Sequence, residues 1–200
     1  MIFKRLRKKR WRYIERKKIK KIIIHSKEVN VIIGAGDTKY DNWINTDYPF
    51  FDITNKKHWE YLFNNKKANR ILSEHVLEHF YENEVKFILQ QVYLYLQPTG
   101  NIRIAVPDSN HPNPDYIEYV RPGGSGAGAD DHKSFWNYKT LGNLLQNIGY
   151  KVNLLEYCDG NNKIIFKDFN NNNGIIQRSF SKGFKCDIKD YSSLIIDAYK

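Results

Sequence analysis

Val29-Asn30-Val31-Ile32-Ile33 is a short, nearly continuous apolar run that stops at Gly34-Ala35-Gly36. Its length and β-branched content predict a strand buried on both faces, as in a parallel sheet. About six residues further on, Trp43-Ile44-Asn45-Thr46-Asp47 reads as a second strand. Arg70 to Ser73 is a third, running into Glu74 to His79. Val85, Ile88, Leu89, Val92 and Leu96 then fall on one stripe of an amphipathic helix. Pro98-Thr99-Gly100 stops that helix, because proline cannot continue it and glycine supplies the turn. Ile102, Ile104 and Val106 alternate in a strand closed by Pro107-Asp108. Leu141, Leu144, Leu145 and Ile148 mark another helix, ended by Gly149. Lys151 to Tyr157 and Ser193 to Tyr199 read as the last strands. Asn173-Gly174, between Ile164–Phe166 and Ile175-Ile176, carries a hairpin turn signal. Strands alternating with helices predict an α/β sheet.

The 200 residues suit one domain, and 41% hydrophobic with 27% charged residues excludes wholesale disorder. The net charge of +10 is not spread over the chain. Residues 1–21 hold twelve Lys/Arg against Glu15 alone, so the rest of the chain nets −1. This divides the chain into a basic leader, residues 1–27, and a near-neutral body, residues 28–200. Ile22 to Ile24 is too short an apolar run for a secretory signal. Ile2, Phe3, Leu6, Trp11 and Ile14 give the leader an apolar edge suited to an anionic membrane surface or a nucleic acid contact, to docking on the body, or to a linker. No run approaches the 18 apolar residues of a membrane span. Two cysteines, Cys158 and Cys186, exclude a disulfide framework and fit a reducing, cytoplasmic location.

Residues 109–138 separate a strand from a helix by a long Pro-, Gly- and polar-rich connection. Connections beyond about 12–15 residues are often lids or binding loops, and this one follows the carboxyl end of a strand, where open α/β sheets bind ligands. Its aromatics argue against disorder, and Tyr116, Phe135 and Trp136 are the expected acceptor-binding surface.

Gly34 and Gly36 after a buried strand let a ligand approach the backbone closely. The third glycine and the immediate helix of a dinucleotide fingerprint are missing, which counts against NAD or FAD. Asp47, after the second strand, can accept from both hydroxyls of a ribose. Asp52, after Phe50-Phe51, can accept from an adenine amino group. Together they describe a pocket for an adenosine ligand without phosphates.

Those residues carry a resemblance. Gly34-Ala35-Gly36, Asn42-Trp43-Ile44-Asn45-Thr46-Asp47, Ser73-Glu74-His75-Val76-Leu77-Glu78-His79 and Gln97-Pro98-Thr99-Gly100 resemble the class I S-adenosylmethionine-dependent methyltransferases. The likeness is greatest to a small bacterial-type group with the Ser-Glu-His-Val-Leu-Glu-His motif. It continues through Asp130-Asp131-His132-Lys133 to Ser192-Ser193-Leu194-Ile195-Ile196-Asp197-Ala198. Ala35 stands where that group usually has cysteine, and Asn42 where it has glycine. The resemblance implies a Rossmann-like sheet with helices on both faces, a short first crossover and a C-terminal β-hairpin elaboration. It implies S-adenosylmethionine as cofactor. Gly34, Ala35 and Gly36 would border its methionine and ribose, Asp47 would hold the ribose, Asp52 the adenine, and Ser73, Glu74 and His75 the methionine side.

Methyl transfer from a sulfonium needs mainly alignment of the reactants. A hydroxyl acceptor adds a general base, for which His132, its neighbour Asp131, and Asp108 at a strand end are the candidates. A saccharide or other small hydroxyl compound is the expected acceptor, with a metal-free mechanism preferred to one assisted by Asp108, Asp130, Asp131 and His132. Two other readings compete. His75-x-x-Glu78-His79 matches an inverted zinc metallopeptidase pattern, and a body without activity would leave the basic leader as the working part.

Overall fold

The computed structural model describes residues 2–180 and 193–200. Cys186 and Ser192 lie outside the described residues. The elements run α1 (Ile2–His25), β1 (Asn30–Ile33), β2 (Ile44–Thr46), α2 (Lys56–Phe63), β3 (Ala68–Glu74), α3 (Glu82–Tyr95), β4 (Leu96–Pro107), α4 (Pro114–Val120), α5 (Tyr138–Ile148), β5 (Lys151–Cys158), β6 (Ile164–Phe166) and β7 (Ser193–Tyr199). The strands form one seven-stranded sheet in the order β2-β1-β3-β4-β7-β5-β6. β1 is parallel to β2 and β3, and β3 to β4. The last strand, β7, inserts antiparallel between β4 and β5.

Alternation along the strands sorts the core into two faces. Val31, Ile33, Ile71, Ile102, Ile104 and Ile196 share one cluster with Ile23 of α1, Trp59 and Phe63 of α2, Ile88 of α3 and Leu141 of α5. Ile32, Leu72, Ala105 and Ile195 face the other way, toward Ile176, Phe169, Tyr40 and Trp43. Helices α1, α2, α3 and α5 thus pack on the first face, and the 3-10 turn Asn171–Asn173 lies toward the second. The connection from β1 to β2 is too short to carry a helix, and irregular chain covers that face. Arg103 of β4 lies under this cover, opposite Asp197 of β7, and donates to both its carboxylate oxygens at 2.7 and 2.8 Å. Its remaining nitrogen donates to the carbonyls of Asn170 and Gly174, so the ion pair ties the cover to the sheet.

The hairpin of the C-terminal region is made by β5 and β6, which pair antiparallel with Tyr157 opposite Ile165. Asn173-Gly174 is not its turn: Asn171–Asn173 is one turn of 3-10 helix, and Gly174 takes φ 115° and ψ 150°. That conformation belongs to neither primed hairpin turn.

The leader is one helix that runs into the body. Trp11 meets Phe50 edge to face at 4.7 Å, and Arg16 Nε donates to the Phe50 carbonyl at 2.8 Å. Ile23 is fully buried in the core. Among the described residues no helix is long and apolar enough to cross a membrane.

Candidate active site

Four strands deliver their carboxyl ends to one edge of the sheet, so Gly34, Asp47, Glu74, His75 and Asp108 arrive on the same side. Two cavities meet there, and Gly34 borders both. The larger, about 330 Å3, is lined by Gly34, Asp47, Asp52, Val76, Phe80 and Lys133 among others. The smaller, about 160 Å3, is lined by Thr38, Glu74, His75, Gln177 and Arg178 beside Gly34.

Gly34 takes φ +64°, a backbone that side chains rarely adopt, and a Cβ placed on it would stand 2.5 Å from Val76 Cγ2. Only glycine keeps this junction open. Asp47 is fixed by two backbone donors, Gly36 N–H to Oδ2 at 2.8 Å and Tyr48 N–H to Oδ1 at 2.6 Å. A carboxylate oxygen has a second lone pair, so both can still accept from a diol. Asp52 uses Oδ1 for the N–H and hydroxyl of Thr54, at 3.1 and 2.7 Å. Its own N–H donates to His58 Nδ1 at 3.0 Å, which fixes that ring nitrogen as the unprotonated one. Burial, and after it Arg16, hold the His58 imidazole below its ordinary pKa. Ala35 is buried and donates its N–H to the Thr46 carbonyl, which sets the glycine turn against β2.

On the second cavity, Glu74 Oε1 accepts the backbone N–H groups of Gln177 and Arg178 at 2.9 and 3.3 Å. Ser73, at the end of β3, is fully buried, and its Oγ has no hydrogen-bond partner among the described residues. His75 sits at φ +53°, with Nδ1 on Glu78 Oε1 at 2.9 Å and Nε2 on Ser193 Oγ at 3.0 Å. Thus every residue expected around the cofactor lies at this edge. The Asp47 and Glu74 carboxylates suit a ligand with a diol and an amine, and the two cavities that share Gly34 suit a nucleoside with a short tail.

The residues expected to act on the acceptor are placed less simply. Asp108 is 1% exposed, and its carboxylate accepts from Asn110 N–H at 2.9 Å and Cys158 N–H at 2.7 Å. Burial raises its pKa, and the carboxylate anchors the start of the long loop. Tyr116 and Trp136 are both buried, which corrects the expectation of an acceptor surface there. The Tyr116 hydroxyl accepts from Asp108 N–H at 2.9 Å, and Trp136 Nε1 donates to Ser134 Oγ at 2.8 Å. The Trp136 ring belongs to the main core and the Tyr116 ring stacks on His111 within the loop, and of the three only Phe135 keeps part of its surface open.

His132 Nδ1 lies 2.7 Å from the Val120 carbonyl, so Nδ1 carries the proton and the lone pair is on Nε2. Asp131 is not beside it. The Asp131 carboxylate lies 3.4 Å from His79 Nδ1, and the rings of His79 and His132 meet edge to face at 4.9 Å. The short helix Leu77–His79 is a single 3-10 turn and His75 precedes it in a left-handed conformation. His75 and His79 therefore do not share a helix face, and the peptidase geometry is not formed.

Sequence reasoning missed Arg16, Tyr48 and Lys133, which approach the site from α1, from the loop after β2 and from the long loop. No local pattern distinguishes them from surface residues.

The sheet agrees with solved structures. An O-methyltransferase family protein from Burkholderia thailandensis superposes with TM-score 0.50 at 9% identity, over 72% of this chain and 52% of that one, so the chain spans about half of that protein. A protein in complex with the Haloferax volcanii Trm112 methyltransferase activator superposes with TM-score 0.50 at 10% identity, over 90% of this chain and 87% of that one. No curated protein sequence matches the chain. A family model described as a methyltransferase domain matches residues 16–155, well over half of the sequence and including the second half of α1. The chain belongs to the methyltransferase domain family, as a class I S-adenosylmethionine-dependent methyltransferase.

Proposed function

We propose that the protein methylates a hydroxyl of a saccharide or similar small polyhydroxyl compound. Bound S-adenosylmethionine supplies a methyl group on a sulfonium, a leaving group that needs no protonation. Asp47 holds the ribose diol, and Asp52 accepts from the adenine. Gly34 leaves room at the junction, and Ser73, Glu74 and His75 receive the amino-acid end.

The observation that carries the acceptor class is the mouth of the larger cavity. Tyr48, which lines it, is 69% exposed, and Tyr81, 59% exposed, lies under the ammonium of Lys133 at 5.7 Å. An open aromatic face under the ammonium of Lys133, with Tyr48 lining the same cavity as that lysine, suits a sugar ring, whose C–H face stacks on aromatics while its hydroxyls accept from the ammonium. Tyr48 and Tyr81 replace Tyr116 and Trp136 as the acceptor platform, with Phe135 retained. His132, next to Lys133, takes the hydroxyl proton on Nε2. The protein aligns the oxygen and excludes competing water, which is where most of the acceleration in such a transfer arises.

The test is label transfer from methyl-tritiated S-adenosylmethionine to a panel of mono- and oligosaccharides, with amine and thiol acceptors of similar size. Labelled methyl ether from saccharides is expected, and Tyr48→Ala should raise the acceptor KM more than it lowers kcat. Label confined to amines or thiols would overturn the acceptor class.

A further inference from the structure

We propose that Glu78, His79 and His132 form a binding site for a divalent first-row transition-metal ion, zinc being the simplest occupant. One ligand atom from each of the three lies within 4.8 Å of the other two. Three features mark them as a set. Glu78 is 1% exposed, and while its Oε1 meets His75, its Oε2 has no hydrogen-bond partner among the described residues. His79 Nδ1 is likewise buried without a hydrogen bond, the Asp131 carboxylate standing 3.4 Å away. His132 spends Nδ1–H on the Val120 carbonyl, which leaves Nε2 as an unprotonated donor held in a fixed orientation.

An unpaired carboxylate oxygen out of contact with water costs free energy unless a cation or a donor compensates it. Here the nearest groups are two imidazoles. A carbonyl on the far nitrogen of a ligating histidine, and a histidine on the far oxygen of a ligating carboxylate, are the outer contacts that orient metal ligands. Two nitrogens and one carboxylate favour zinc, iron, cobalt or manganese over calcium or magnesium. Ligand distances of about 2.0–2.2 Å put neighbouring donors about 3.4 Å apart in a tetrahedral site. The three groups therefore need to close by up to about 1.4 Å. The Leu77–His79 turn and the loop after Gly128 are already joined by Lys133 N–H and Ser134 N–H on the Glu78 carbonyl, at 2.7 and 3.2 Å. Asp131 or water completes the coordination. The set differs from the peptidase pattern, because His75 is an outer contact and His132 comes from another part of the chain.

The site lies beside the acceptor side of the larger cavity, whose lining residues Val76, Phe80 and Lys133 flank it in sequence. A metal and a proton compete for the same Nε2 of His132, so an occupied site would activate an acceptor hydroxyl in place of the imidazole. Metal binding and methyl transfer remain separately measurable, since cobalt absorption reports the first and S-adenosylhomocysteine binding the fold of the second.

The test uses the untagged full chain, stripped with chelator and titrated with Co2+ and Zn2+. One Co2+ per chain with d–d absorption typical of nitrogen and oxygen ligands is expected, displaced by Zn2+. His79→Ala and His132→Ala should each weaken binding beyond the about 10–100-fold that loss of an outer contact costs. His25→Ala should not change it, although His25 also spends Nδ1, on the Lys21 carbonyl, and stands outside the set. Glu78→Gln should abolish the spectrum, with retained S-adenosylhomocysteine binding showing that the variant is folded. Binding below one ion per chain, or binding that survives the His79→Ala/His132→Ala double variant, would mean an adventitious ion only and would overturn the site.

Discussion

Gly34→Ala tests the junction between the two cavities in a way that separates shape from backbone. The added Cβ would sit 2.5 Å from Val76 Cγ2 and 3.1 Å from Cγ1, so Val76 must turn or the β1 loop must shift. Overpacking of that kind costs about 1–3 kcal/mol. The left-handed backbone adds about 1–2 kcal/mol for any side chain. Gly34→Ala should therefore destabilise the fold by about 2–5 kcal/mol. Gly36 provides the internal control. It also has positive φ, +51°, but nothing lies within 4 Å of its would-be Cβ, so Gly36→Ala should cost only the backbone part, about 1–2 kcal/mol. Urea denaturation at constant m-value reads both. In a double-mutant cycle, Val76→Ala should recover about 1–3 kcal/mol of the Gly34→Ala loss. Equal losses at Gly34 and Gly36, or a cycle with no coupling, would refute the close approach.

The Arg103–Asp197 pair predicts a different signature. Arg103→Met leaves a buried carboxylate unpaired and should cost about 3–5 kcal/mol, whereas Arg103→Met/Asp197→Leu should recover much of it, as read by thermal or urea unfolding. His58 predicts a pH effect. Its folded pKa is depressed, so its contribution to stability is present at neutral pH and is lost as pH falls through the ordinary imidazole value of 6.5 toward the lower folded value. Protonation also removes the acceptor for Asp52 N–H, so S-adenosylhomocysteine affinity should fall over the same range, and His58→Asn should flatten that dependence.

The elements legible in the sequence are those whose burial is set by local pattern. The β-branched run before Gly34 forms β1, buried on both faces as read, and the alternation over Ile102–Val106 falls in β4, whereas the stripe from Val85 holds only to Val92, because α3 ends at Tyr95 and Leu96 to Gly100 already belong to β4. α2 was not legible. It has eight residues, Lys56–Phe63, too few to display a stripe, and its stability comes from Trp59, Leu62 and Phe63 docking in the core and from an Asn55 cap. The placement of Asp47 was readable from its position after a strand. The contacts that hold the rest of this sheet edge together were not, because they join residues far apart in the chain. His75 meets Ser193 across 118 positions, and Ser134 reaches the Leu77 carbonyl across 57. Tyr116 and Trp136 were misread for a related reason. Aromatic residues in a long loop can face a ligand or fill the loop's own interior, and only the fold distinguishes these.

The central claim is that Asp47, held by Gly36 and Tyr48, receives a ribose diol at the sheet edge. Calorimetric titration of the purified chain with S-adenosylhomocysteine measures this directly, against Asp47→Ala. The account predicts one site per chain, weakened by about 1–3 kcal/mol in the variant through the loss of charged hydrogen bonds. No binding by the unaltered protein, or identical affinities for the two proteins, would contradict it.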